Sequence, residues 1–194
     1  MDLKHFIPPE ELVTEHFTIR SYRPGDGVML AEALNASYEH LKTFMPWAKP
    51  HTTIEEAEHT ARQFRGGYLK NEDFVLGIFS PEGDYQWGST GFHLRGGKLD
   101  NRAAETGMWI RAGLAGQGLG TRVLCEMLTW GFEVWPWERI AWLCSERNIA
   151  SQRTAKKAGL LREGVLCGRF RLPDGTRDDT VCYAALKGEW VSPL

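Results

Sequence analysis

Polar and apolar residues alternate through HFTIRSY (16–22) with the two-residue period of a half-buried strand. Over 23–41 the pattern lengthens: turn residues in RPGDG give way to apolar positions at helical spacing. MPWAKP, containing Pro46 and Pro50, interrupts that rhythm and predicts a loop between helices. TTIEEAEHTARQFRGGYL (52–69) restores it, opening on Thr with acids in its first turn and offering Gly66-Gly67 as a stop. Three strand-like runs follow at 73–80, 85–96 and 103–113, and the turn-forming loops PEGD and GKLDN between them predict an antiparallel meander. From about 118 to 134, Leu119, Val123, Leu124, Met127, Leu128 and Phe132 recur three and four residues apart, so a helix with one buried face is expected. RIAWLCS (139–145) reads as a buried strand and NIASQRTAKKAGL (148–160) as a helix ending at Gly159. GVLCGRFRL and DDTVCYAAL then close a hairpin around PDGT. The order is mixed α/β, with a mostly antiparallel sheet of about seven strands flanked by helices.

Composition narrows the functional classes without choosing one. The length of 194 residues fits a single domain over 1–194. No apolar run approaches the ~18–20 residues that span a bilayer, so membrane insertion is not expected. Twenty-three Lys+Arg against 25 Asp+Glu leave a net charge of -2, which offers no electrostatic case for nucleic acid. MDLKHFIPPEEL lacks the apolar centre of a signal peptide, which makes the cytoplasm the expected compartment. Cys125, Cys144, Cys167 and Cys182 are far apart, with no CxxC pair and no HExxH, so buried reduced thiols are expected and no metal site.

AGLAGQGLGTRVL (112–124) is the segment with chemistry in it. A P-loop requires Lys after its last glycine, but Leu119 follows Gly118. A dinucleotide fingerprint starting at Gly116 finds its third glycine one position early, at Gly120, and the segment follows a meander where a Rossmann unit would begin on its first parallel strand. The remaining ligand reading is a glycine turn opening a helix, with unpaired N–H groups and the positive dipole end facing one pyrophosphate. A ligand-free connector is the alternative. Because a helix-interior Gly costs ~1 kcal/mol relative to Ala, glycines at 116, 118 and 120 must be favoured by something other than helix stability.

AGQGLG (115–120) resembles the acetyl-CoA loop Q/R-x-x-G-x-G/A of the GCN5-related N-acetyltransferases (GNAT), with Ala115 where Gln or Arg is usual. In order along the chain, 45–64, AAETGMWI (103–110), 145–164 and DTVCYAALKGEW (179–190) look like landmarks of the RimJ/RimL-like branch. The resemblance implies a GNAT-type sheet and an acetyl-CoA-dependent N-acetyltransferase without a metal. It implies a primary-amine acceptor, a protein or peptide N-terminus of the ribosomal-protein-alanine type by analogy with the branch. A small amine (amino acid, polyamine or aminoglycoside) as acceptor, and a non-catalytic CoA-binding module, stay open as alternatives. So does a homodimer, since dimers are common in the branch. Cofactor contacts are implied at Gly116, Gln117, Gly118, Leu119, Gly120 and Thr121, at Asn148 and Ser151, and along the backbone of Met108, Trp109 and Ile110, where the pantetheine arm pairs like an added strand.

Acetyl transfer requires a neutral amine and a stabilised thiolate. An α-amine titrates near ~7.7–8.0 and Lys near ~10.4, so the first needs little help at neutral pH. Alternation in 103–113 puts Glu105, Gly107 and Trp109 on one strand face and Thr106, Met108 and Ile110 on the other. Spacing alone allows Glu105 to be a solvated strand-end residue; the resemblance makes it the base, directly or through water. Leu143 occupies the next-strand position where other members carry a carboxylate, and Ala155 that of the family's usual acidic Tyr. Ser151 is then implied as proton donor or CoA contact, and a helix cap is its bland alternative. Asn148 is an N-cap by chemistry and a pantetheine contact by resemblance. Arg153, Lys156 and Lys157 either meet a 3′-phosphate or form a solvated face. Phe44, Met45, Trp47, Trp87 and Trp109 either line the acceptor site or pack in the core, and WPW (135–137) reads as packing.

Overall fold

A computed structural model describes residues 3–95, 97–172 and 175–194. Its elements run β1 (Glu11–Val13), β2 (Thr18–Ser21), α1 (Gly27–Asn35), α2 (Tyr38–Leu41), α3 (Ile54–Leu69), β3 (Phe74–Phe79), β4 (Gln86–His93), β5 (Ala103–Ile110), α4 (Leu119–Glu133), β6 (Arg139–Ser145), α5 (Ile149–Lys157), β7 (Leu161–Arg171) and β8 (Arg177–Leu186). They form one sheet of eight strands in the order β1-β2-β3-β4-β5-β6-β8-β7. Every neighbouring pair is antiparallel except β5 and β6. The eighth strand beyond the seven expected is β1, whose three residues are too short to display a period.

The helices divide between the two faces. Leu30 and Ala31 of α1 and Ala57 and Ala61 of α3 pack with Tyr22 and Trp109. Val123, Leu124, Met127 and Leu128 of α4, Ala155 of α5 and its C-cap Ala158 pack with Ile140, Trp142, Cys144 and Tyr183. Gly131 lets α4 lie close to the sheet, because a Cβ there would stand 2.5 Å from Ile140 Cδ1. Trp135 and Trp137 are buried beside Phe74 and Phe92, as WPW predicts.

Several boundaries differ from the pattern for identifiable reasons. β2 is buried on both faces, because its polar groups find partners: Arg20 donates to Asp26 at 2.7 and 2.9 Å and lies over the Phe79 ring, and Ser21 bonds Glu10. The 23–41 segment splits into α1 and α2. The first turn of α1 is capped from a distance, by the Glu58 carboxylate accepting from the N–H groups of Gly25 and Gly27. Thr53 and Glu56 form the capping box that starts α3. That helix does not stop at Gly66-Gly67. Two interior glycines cost ~2 kcal/mol, comparable with the ~1.5–3 kcal/mol from burying one large side chain. Tyr68, fully buried and donating to the Pro9 carbonyl, favours continuing the helix. The α5 end matches expectation: Gly159, at φ +79°, and Leu160 return hydrogen bonds to Lys156 and Ala155 as a Schellman cap. Pro173 and Asp174 of the predicted PDGT turn lie outside the described residues, and Leu172 and Thr176 pair across it. Of the four thiols, Cys125 and Cys144 are buried and Cys182 half-buried, whereas Cys167 is exposed on β7, against expectation.

Candidate active site

The sheet opens where β5 meets β6. The two strands pair in parallel only over Ala103–Thr106 and Arg139–Trp142. Beyond that, Gly107–Ile110 stay with β4 while Leu143–Ser145 stay with β8. Interior strands normally satisfy their backbone polar groups on both sides. The exposed inner edge of β5 at Met108, Trp109 and Ile110 is therefore an acceptor for an extended ligand.

That edge runs into the glycine segment. Among the described residues, no acceptor is recorded for the five consecutive amides of Gly116, Gln117, Gly118, Leu119 and Gly120, whereas Ala115 N–H before them and Thr121 N–H after them are bonded. Gly116 (φ +77°) and Gly118 (φ +88°) adopt the left-handed conformation that turns successive amides to one side. Gly118 is the N-cap of α4, and the helix dipole adds its positive end. Gln117 closes the loop by donating to the Gly113 carbonyl at 2.9 Å. Gly120, by contrast, lies inside the first turn, and a Cβ there would meet Met108 Sδ at 3.7 Å and Ile110 Cγ1 and Thr154 Cγ2 at 3.9 Å, ordinary contacts. The three alternate glycines are thus not equivalent.

On the α4/α5 face, Asn148 caps α5 by accepting from Ser151 N–H at 3.0 Å. Trp142 Nε1–H donates to Ser151 Oγ, also at 3.0 Å, so the oxygen is the acceptor in this bond and the hydroxyl keeps its own proton to donate. Beside it Cys144 is buried; desolvation pushes its thiol up, and the Ser151 hydroxyl opposes this. Ala155 is fully buried in the core, so the missing tyrosine has no replacement at its own position. Arg153, Lys156 and Lys157 are exposed. The positioning role of Trp142 has no local motif, although alternation in RIAWLCS puts it on the Cys144 face.

Glu105 is on the opposite face, so the gap between β5 and β6 has Glu105 on one side and Ser151 on the other. Glu105 accepts from Arg95 at 2.9 and 3.0 Å. On the same face Trp109 is 8% exposed and meets the half-exposed Trp47 edge to face at 6.4 Å, with Met45 packed on the same cluster. Phe44 is exposed nearby in sequence, and Trp87 packs with the other cluster, away from Trp47 and Trp109.

Arg111 was not singled out by its local sequence. Its guanidinium pairs with Glu32 of α1, 79 residues away, and lies 4.3 Å from the Tyr85 ring centre. Arg111 holds the Glu32 carboxyl below the usual carboxylate range, so this tie is lost only as pH falls through the folded-state value and persists at any neutral assay pH. Ser37, buried between α1 and α2, accepts from Ala112 N–H at 3.1 Å. Both contacts fasten the wall beside Trp109 to the start of the glycine loop.

Among the described residues there is no cluster of side chains able to hold a metal ion, and no helix is long and apolar enough to cross a membrane. Residues 16–161 match the acetyltransferase (GNAT) domain family. The chain is 29% identical over 181 residues to YdaF of Bacillus subtilis (strain 168), whose name proposes a ribosomal N-acetyltransferase; the match covers 92% of this chain and 95% of that one. A crystal structure described as a probable acetyltransferase is 27% identical, with a TM-score of 0.80 and coverage of 92% and 97%. The RimL ribosomal L7/L12 α-N-protein acetyltransferase, solved with coenzyme A, is 20% identical and shares the fold at a TM-score of 0.80, covering 93% of this chain and 97% of its own. Profile, relative and fold agree with the loop geometry: the chain belongs to the GNAT family of acetyltransferases.

Proposed function

We propose that the protein transfers the acetyl group of acetyl-CoA to a primary amine, with the α-amine of a protein or peptide as acceptor. The run of five free amides leading onto the open edge of β5 is the observation that carries this reading. Those amides bind the pyrophosphate of the coenzyme, and the β5 edge takes the pantetheine arm. Acetyl-CoA supplies a thioester activated toward amines. Glu105 receives the proton that the attacking amine loses, directly or through water. The new C–N bond forms as the C–S bond breaks, and the Ser151 hydroxyl donates a hydrogen bond to the departing thiolate, which takes its proton from solvent. A thiol pKa near ~8.5 makes that thiolate a tolerable leaving group, so a weak donor suffices. The names of YdaF and RimL support a ribosomal acceptor, which would place the reaction in the cytoplasm.

Thiol release from acetyl-CoA across a panel of N-terminal peptides and small amines tests the reading. Turnover with peptides supports it, and silence throughout would overturn it. Within the site, Ser151→Ala is expected to lower kcat about tenfold with the KM for acetyl-CoA nearly unchanged, less than the ~10²–10⁴ of a full general acid because the thiolate is a tolerable leaving group. Trp142→Phe keeps the ring but removes the N–H, and a loss of about threefold in kcat is expected. The two should not add, because Trp142 acts through the same hydroxyl. An unchanged rate in Ser151→Ala would leave that residue as part of the α5 cap.

A further inference from the structure

We propose that Gly107 is a specificity-determining residue: its missing side chain keeps open the space through which the acceptor amine reaches the thioester. This rests on the reading that the acetyl group is delivered at the gap between β5 and β6.

β5 is an interior strand, with four strands on one side of it and three on the other. A glycine in such a strand is destabilising relative to alanine and usually marks a special backbone conformation or a close approach. β4 shows the second case. A Cβ at Gly88 would fall 2.1 Å from the Trp109 carbonyl oxygen, and one at Gly91 would fall 2.6 Å from that of Phe74. Gly107, paired directly with Gly91, shows neither. It is absent from the positive-φ residues, and among the described residues, its two chain neighbours aside, no heavy atom lies within 4 Å of where its Cβ would stand. Nothing among the described residues explains this glycine.

The empty space has a defined setting. Gly107 is the first β5 residue past the last pair with β6, so it stands at the mouth of the gap. Strand alternation puts its Cβ direction on the face of Glu105 and Trp109, two residues away on either side. A carboxylate therefore bounds the space at one end and an indole at the other, with Trp47 edge-on to that indole. A proton acceptor beside an uncharged aromatic wall suits a primary amine, and among peptide N-termini one with a small first side chain brings the least bulk past the empty position.

Gly107→Ala and Gly107→Val separate this role from a structural one. Both residues accept ordinary strand dihedrals, so melting temperature should hold or rise in Gly107→Ala. Coenzyme A affinity by calorimetry should stay within about twofold, whereas kcat/KM for the peptide amine should fall about tenfold for Ala and further for Val, through KM for the amine, because small misplacements at a reacting centre are costly. Unchanged amine kinetics in both variants would overturn the proposal. So would a lower melting temperature in Gly107→Ala, or coenzyme A affinity falling together with turnover. If wild-type protein acetylates no amine, the underlying reading fails instead, and the wild-type assay shows that first.

Discussion

Replacing Gly118 with alanine is expected to weaken coenzyme A binding about a hundredfold. Gly118 sits at φ +88° as the N-cap of α4. A Cβ in that conformation costs ~1–2 kcal/mol, so the variant either accepts the strain or rotates the amides on both sides of it. Each amide that no longer points at a phosphate forfeits a hydrogen bond to a charged group, ~1.5–3 kcal/mol. Two rotated amides at ~1.5 kcal/mol each amount to ~3 kcal/mol, about a hundredfold in affinity. Gly120→Ala is the matched control. Its Cβ meets only ordinary contacts at 3.7–3.9 Å, and alanine gains ~1 kcal/mol of helix propensity, so affinity should stay within a few-fold while melting temperature rises slightly. Calorimetry with coenzyme A and thermal melts on both variants check this; equal losses at 118 and 120 would mean that the left-handed turn is not what shapes the cradle.

The second large effect is expected at Glu105. Glu105→Gln should reduce kcat/KM for a peptide amine about a hundredfold at neutral pH, the low end of general-base contributions. The amide keeps an oxygen for Arg95, and the lost ion pair is exposed enough on the Arg95 side to contribute only ~0–1 kcal/mol to stability, so the fold and coenzyme A affinity should be nearly unchanged. The pH dependence has a definite sign. An α-amine with a pKa near ~7.7–8.0 is largely protonated at pH 6 and largely neutral at pH 9. A base matters most where the amine must still lose a proton, so the defect should shrink as pH rises. Wild-type kinetics for Glu105→Gln over pH 6 to 9 would make Glu105 a structural partner of Arg95 and nothing more.

What was legible in the sequence was what local periodicity and capping encode. α4 and α5 emerge within a residue or two of their predicted bounds because Leu119 to Phe132 and Asn148 to Gly159 combine a clear period with strong stop or start residues. The face assignment of Glu105 and Trp109 against Met108 and Ile110 follows from strand alternation alone. Long-range decisions were not legible. Gly66-Gly67 looks like a helix stop until Tyr68 is seen buried against the segment around Pro9. Trp87 looks like a partner for Trp109 until the irregular register between β3 and β4 sends it to the other cluster. The ties from Arg111 to Glu32 and from Ala112 to Ser37 join residues more than seventy apart, and no local signal predicts them. Glycine identity was legible, but glycine role was not: Gly118, Gly120, Gly88 and Gly107 differ in backbone conformation and in what surrounds them.

Acetyl placement on a peptide bearing both a free α-amine and a lysine tests the central claim most directly. With acetyl-CoA and the wild-type protein, mass mapping should find one acetyl group on the α-amine, with thiol released in equal amount. Tightly bound coenzyme A without any acetylated product, on this or any other amine, would contradict the account.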